Sequence, residues 1–170
     1  HLLMKMDMGG AAAVLGAFVG LRDAGVDARV TGWLMCTDNM PSGTAYKLGD
    51  VLTARGGTTI EVKNTDAEGR LVMSDALVLA NEDGVDAIID IATLTGAALV
   101  SLGPATAPVF GNDQVTVDLV RAASDAVDEP VWQLPLEQKY RPQLDSEIAD
   151  IANLGGPFAG ATTAALFLAH

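Results

Sequence analysis

The sequence predicts an α/β fold in which a mostly parallel central sheet is flanked by helices in three layers. Two observations indicate this class: helical and strand-like segments alternate along the chain, and turns rich in Gly or Pro separate them. Composition agrees, because 49% hydrophobic residues with only 5% aromatics favours a core of Ala, Val, Leu and Gly. The 170 residues contain no repeat, low-complexity segment or linker, so residues 1–170 are predicted to form one domain.

Apolar periodicity and turn residues locate the individual elements. Longer Ala-rich or amphipathic runs predict helices at 9–24 (closed by Gly25), 71–81, 115–127, 136–144 and 159–170. Short apolar or β-branched runs predict strands at 28–35, 57–63, 86–91 and 107–111, with 96–102 as a strand candidate whose alanines leave a helix open. A long polar loop is expected at 37–49. Ligands are expected at the carboxyl ends of the central strands, where open α/β sheets bind them.

Charge and hydropathy narrow the class of protein. A net charge of −12 argues against a nucleic-acid partner, which would need basic patches. No apolar run approaches the roughly 20 residues of a membrane helix, so no membrane contact is expected. The mean hydropathy of +0.30 therefore indicates apolar surface that is covered by subunit contacts or by another domain. Cys36 is the single cysteine and is expected to be an inert core thiol. A single cysteine and the lack of a leader-like segment predict a cytoplasmic protein.

The most informative segment is 64–70, Asn-Thr-Asp-Ala-Glu-Gly-Arg, directly after a predicted strand. Asp66 and Glu68 offer hard anionic oxygens suited to a pair of divalent ions, which can polarise a carbonyl and generate hydroxide near neutral pH. Arg70 suits a planar oxyanion. The alternative is structural: Asp66 caps the following helix, while Glu68 and Arg70 form a surface ion pair.

Asp7 stands before Gly9 and Gly10 at the start of an Ala-rich helical run. Taken alone, it reads as a helix N-cap; taken with the second motif, it becomes a third carboxylate for the same metals. On local grounds 93–96 is a strand-to-loop turn, and Asn39 is a turn-forming residue.

The chain resembles the catalytic domain of the leucyl aminopeptidase (cytosol aminopeptidase) family of dinuclear metallopeptidases. The matching motifs lie at 7–12, 39–43, 64–71, 90–97 and 148–156, in the family's order and rough spacing. The resemblance implies that Asp7, Asp66 and Glu68 are metal ligands. It also makes Arg70 the catalytic-site arginine, associated with a bicarbonate that Gly69 and Leu94 assist through their backbones. It places Met4, Thr93 and Gly96 along the substrate side-chain pocket.

The family has two further metal ligands, a lysine and an aspartate, and a second catalytic lysine. These residues usually lie in Gly-Lys-Gly and Phe-Asp-Ser-Gly-Gly motifs, which this sequence lacks. We therefore expect an incomplete catalytic domain without the upstream ligand strands, the N-terminal domain and the C-terminal tail, inactive by itself.

The implied activity is the release of N-terminal, leucine-like residues from peptides. Two divalent ions would hold the substrate amine and a bridging hydroxide. Zinc or manganese is the preferred metal, and magnesium or cobalt is the alternative. A homo-hexamer acting on peptide substrates is the implied assembly. Two alternatives stay open: a non-catalytic homologue or hexameric binding protein that keeps the fold, and a calcium-stabilised structural loop.

Overall fold

The computed structural model describes residues 3–170 of the chain. Its α-helices are α1 (Gly9–Gly20), α2 (Glu68–Glu82), α3 (Gly96–Leu102), α4 (Gln114–Val127) and α5 (Gly160–Leu168). Its strands are β1 (Val51–Thr53), β2 (Thr59–Glu61), β3 (Ala107–Val109), β4 (Val131–Gln133) and β5 (Ile151–Ala152), and 3₁₀ helices cover Met4–Met6 and Gln138–Leu144. No helix in this described range is long and apolar enough to cross a membrane.

The strands form two small sheets that helices cover. One sheet has the order β1-β2-β5, in which β1 and β2 are antiparallel and β2 and β5 are parallel. The other sheet pairs β3 and β4 in parallel. The α/β class is therefore confirmed.

Local chemistry explains where several helices begin and end. The Asp113 carboxylate caps α4 by accepting a hydrogen bond from the Thr116 backbone N–H at 2.8 Å. Asp128 closes the same helix in the left-handed conformation. Helix α1 ends at Gly20, earlier than predicted. The turn that follows the helix ends at Gly25, where φ is +66°.

Two predicted strands are wrong. Segments 28–35 and 86–91 run without regular secondary structure, and their large apolar side chains, among them Val30 and Ile89, are exposed. Both segments line one cavity. A strand requires a hydrogen-bonded neighbour, and apolar alternation shows only which side chains suit a sheet, not whether a partner lies alongside. Cys36, expected in the core, is likewise exposed at this cavity.

Smaller corrections concern the second half of the chain. The strand candidate at 96–102 is the helix α3, the outcome that its alanines left open. The predicted helix at 136–144 is a 3₁₀ helix that contains Pro142, whose ring is incompatible with an α-helix interior. The three short strands β1, β4 and β5 were not predicted, because two or three residues carry too little periodicity.

The main core joins the first sheet to α2, α5 and the 3₁₀ helix Gln138–Leu144. It consists of Ile60, Leu71, Leu144, Ile151, Leu166 and Phe167, all at most 8% exposed. Because Ile60 lies in β2 and Leu71 in α2, this packing holds both ends of the connection at 62–67. Asp66 is therefore presented by a short loop between two anchored elements.

Candidate active site

One cavity of about 1260 Å³ gathers nearly all of the predicted site residues. Eight of the nine line it: Met4, Asp7, Asp66, Glu68, Gly69, Thr93, Leu94 and Gly96. The ninth, Arg70, is not part of the lining. The cavity thus brings together residues that are far apart in sequence. They come from the start of α1, the start of α2 and the segment before α3.

A close backbone contact positions Asp7. Gly10 in the first turn of α1 lies so near the backbone of Ile91 and Ala92 that a Cβ atom there would overlap both. This approach brings the beginning of α1 against the segment that carries Thr93. The Thr93 hydroxyl lies 2.7 Å from the backbone oxygen of Asp7 and 3.1 Å from its Oδ1, with a single proton to donate.

The other two carboxylates, Asp66 and Glu68, belong to the loop after β2 and the first turn of α2. Asn64 Oδ1 accepts a hydrogen bond from the Asp66 backbone N–H at 2.9 Å, which makes a tight turn before the helix. Asn39 reaches across from the polar loop. Its Nδ2 lies 3.2 Å from Thr65 O, 3.4 Å from Asp66 Oδ1 and 3.2 Å from Glu68 Oε2. The prediction of a merely turn-forming Asn39 missed this contact, since nothing local to its loop shows it.

The carboxylates repel one another. Burial raises the pKa of Glu68 above its ordinary value of 4.5, and the nearby charges of Asp7 and Asp66 raise it further. Burial and the charge of Glu68 also raise the pKa of Tyr46. The hydroxyl of Tyr46 donates to Thr65 O at 3.3 Å. A cation bound among these carboxylates would therefore relieve an existing electrostatic cost.

The structural alternatives for these carboxylates fail. The N-cap of α2 is Ala67 and that of α1 is Met8, and neither helix start has a side-chain cap, so Asp66 and Asp7 are not caps. None of the ion pairs found across residues 3–170 joins Glu68 to Arg70.

Arg70 is only 4% exposed, in the first turn of α2. Its Nε and Nη1 are buried without a hydrogen-bond partner in the described part of the chain. Burial lowers the pKa of Arg70 to about 10, which still leaves the guanidinium charged at neutral pH. A buried cation with unpaired donors is costly.

The donor set fits divalent ions in chemistry but does not complete a site. Asp7, Asp66 and Glu68 supply the hard oxygens that such ions prefer. Nevertheless, no three His, Cys, Asp or Glu side chains within 3–170 are close enough together to hold a metal ion. A metal here would need further ligands or a rearrangement of these carboxylates.

The family model described as "Cytosol aminopeptidase family, catalytic domain" matches residues 2–170. The chain belongs to the cytosol aminopeptidase family.

Individual relatives agree over the whole chain. The chain is 51% identical over 167 residues to a "Probable cytosol aminopeptidase" of Bordetella pertussis and 48% identical to a "Cytosol aminopeptidase" of Pseudomonas aeruginosa. Each match covers 98% of this chain and 34% of the relative. A solved structure of a mutant tomato leucine aminopeptidase superposes with a TM-score of 0.87 at 44% identity, covering 98% of this chain and 33% of that one. The chain thus spans about a third of the length of these relatives.

Proposed function

We propose that the complete protein carrying these residues is a metal-dependent aminopeptidase that releases leucine-like N-terminal residues from peptides. The observation that carries the proposal is that Asp7, Asp66 and Glu68 line one cavity. The buried Arg70 is close enough to Glu68 for that carboxylate to oppose the effect of burial on the pKa of the arginine. Family membership and relatives named aminopeptidases support it.

Asp7, Asp66 and Glu68 would hold two divalent ions, with zinc or manganese preferred, together with ligands that this chain does not supply. When bound, such ions supply Lewis acidity toward a carbonyl and a nucleophile at neutral pH. Arg70 would bind bicarbonate through its guanidinium, assisted by the backbones of Gly69 and Leu94.

We infer that the substrate side chain is held against the cavity wall. Met4, Thr93 and Gly96 lie on the lining together with the carboxylates. A side chain of leucine size would contact the apolar surface of Met4, while the backbone at 93–96 would limit its length. Cytoplasmic location and a homo-hexamer complete the proposal, and the many exposed apolar side chains, Val100 at 89% among them, suit subunit contacts.

The test is hydrolysis of a leucine anilide by the complete protein with added manganese or zinc, with chelator, and with Glu68→Ala. Glu82→Ala is the matched control, because Glu82 lies at the other end of α2 in an exposed ion pair with Arg55. Turnover that is lost with chelator and Glu68→Ala but kept by Glu82→Ala is the expected result. A folded, metal-loaded protein without turnover would instead indicate a non-catalytic homologue. Chelation that lowers only the melting temperature would indicate a structural calcium loop.

A further inference from the structure

The backbone that leads into the carboxylate loop is held by one buried side chain, Asn153. Its Oδ1 accepts hydrogen bonds from the backbone N–H groups of Lys63 at 2.8 Å and Asn64 at 3.1 Å. Its Nδ2 donates to the backbone oxygen of Asn64 at 2.6 Å. Asn153 is 0% exposed, so these bonds form without competition from solvent.

The position of Asn153 is set by the sheet. β2 and β5 pair in parallel, with Ile60 opposite Ile151 and Glu61 opposite Ala152. One residue further, the backbone N–H of Asn153 donates to Glu61 O at 2.9 Å. Backbone pairing between the two strands ends at that bond. From there the Asn153 side chain, in place of further strand backbone, forms the hydrogen bonds to the backbone of Lys63 and Asn64.

The constraint passes from Asn64 to the carboxylates. Asn64 Oδ1 accepts from the Asp66 backbone N–H at 2.9 Å, so fixing Asn64 also fixes the turn that aims Asp66. Glu68 follows two residues later, at the start of α2. A chain of hydrogen bonds thus connects the end of β5 to the loop that presents two of the three carboxylates.

We propose that Asn153 is a positioning residue for Asp66 and Glu68, which it orients through the backbone at 63–66 without touching substrate or metal. This inference rests on the proposed function, in that it assumes these carboxylates bind divalent ions. It also gives a role to the motif at 148–156, which the catalytic residues do not use.

The variant that tests the inference is Asn153→Asp, which keeps the shape and both accepted hydrogen bonds. It replaces the donating Nδ2 with an oxygen facing Asn64 O, a contact of 2.6 Å between two acceptors. With the introduced carboxyl group ionised, the loop must then shift. Groups that orient metal ligands from outside the coordination shell typically change metal affinity by about 10- to 100-fold, so we expect zinc or manganese to bind that much more weakly.

A purely structural role would lower stability without selectively weakening the metal site. Val117→Ala is the matched control, because Val117 is a buried residue of α4 outside the cavity lining. Metal affinity is measured on the complete proteins by competition with a chromogenic chelator, at temperatures where circular dichroism shows every variant folded. We expect Val117→Ala to lower the melting temperature and to bind metal like the wild type.

Two results would overturn the inference. One is wild-type metal affinity in Asn153→Asp; the other is a loss no larger than that of Val117→Ala. Should Asn153→Asp not fold, Asn153→Ser, which is smaller and retains one hydroxyl, is subjected to the same comparison. A wild-type protein that binds no divalent ion would defeat both proposals. One that binds metal without hydrolysing anilides defeats only the proposed function, since the affinity readout still decides the role of Asn153.

Discussion

The hydroxyl of Thr93 lies 2.7 Å from the backbone oxygen of Asp7 and 3.1 Å from its carboxylate, although the two residues are 86 positions apart in sequence. Thr93 belongs to the segment that precedes α3, whereas Asp7 lies two residues before the start of α1. This bond links the two sides of the cavity wall. It also limits the rotation of a carboxylate that we propose as a metal ligand.

Removing the Thr93 hydroxyl should therefore weaken the site. Thr93→Val keeps the branched shape and deletes one hydrogen bond, whose net value of about 0.5–1.5 kcal/mol corresponds to roughly 2- to 10-fold in metal affinity or kcat/KM. Thr93→Ser, which retains the hydroxyl, is the control and should lie closer to wild type. Metal titration and anilide kinetics provide the measurement, and equal values for both variants would contradict the proposed role of the bond.

The contact beneath Gly10 predicts a stability effect that does not depend on catalysis. Gly10→Ala places a Cβ on the backbone of Ile91 and Ala92, and such overpacking typically costs about 1–3 kcal/mol. Gly16→Ala in the same helix is the control, because among the described residues no atom lies within 4 Å of its added Cβ. Higher helix propensity should make that variant up to about 1 kcal/mol more stable. Denaturant unfolding measures both, and a Gly10→Ala protein as stable as wild type would show that the helix does not pack this closely.

Glu68 should make the metal-free protein less stable as the pH rises. Its folded-state pKa is raised above 4.5, by burial first and then by the charges of Asp7 and Asp66. The folded state therefore holds this proton more tightly than the unfolded state. The associated stabilisation is complete below pH 4.5 and is lost as the pH rises through the folded-state pKa.

Glu68→Gln removes that loss, so with chelator present it should melt at a higher temperature than wild type at pH 7. The difference should shrink toward pH 4, where the wild-type carboxyl is protonated. Glu82→Gln, in an exposed ion pair, should show no such gain. Thermal melts across this pH range test the prediction, which a pH-independent difference would refute.

Arg70 should be required for activity through a bound anion. Arg70→Met removes the two unpaired nitrogens and, by analogy with other lost oxyanion donors, should lower kcat by about 10²–10³-fold. We expect the wild-type rate to rise with bicarbonate and the variant rate to be insensitive to it. Arg55→Met, which removes an exposed arginine paired with Glu82, should keep both the rate and the response to bicarbonate. Equal bicarbonate responses in wild type and Arg70→Met would exclude this role.

Three of the residues that the sequence predicted for the site carry distinctive side-chain chemistry within one short motif. Asp66, Glu68 and Arg70 were identifiable because two carboxylates and a guanidinium follow a β-branched run within five residues. Asn39 was not identifiable in this way, since an asparagine in a polar loop looks like any turn residue. Its contact with Glu68, 29 positions further along the chain, depends on how the intervening segment folds.

The sequence by itself determined the α/β class, most of the helices and the carboxylates at the cavity, because side-chain chemistry and periodicity are local properties. Only the tertiary structure decided that 28–35 and 86–91 lack strand partners, that 96–102 is a helix, and that Arg70 is buried with two unpaired nitrogens. The tertiary structure alone also showed that Asn153 supports the loop before Asp66. These features depend on which neighbours lie alongside a segment, and pairing, burial and hydrogen-bond satisfaction between distant residues leave no mark in local sequence.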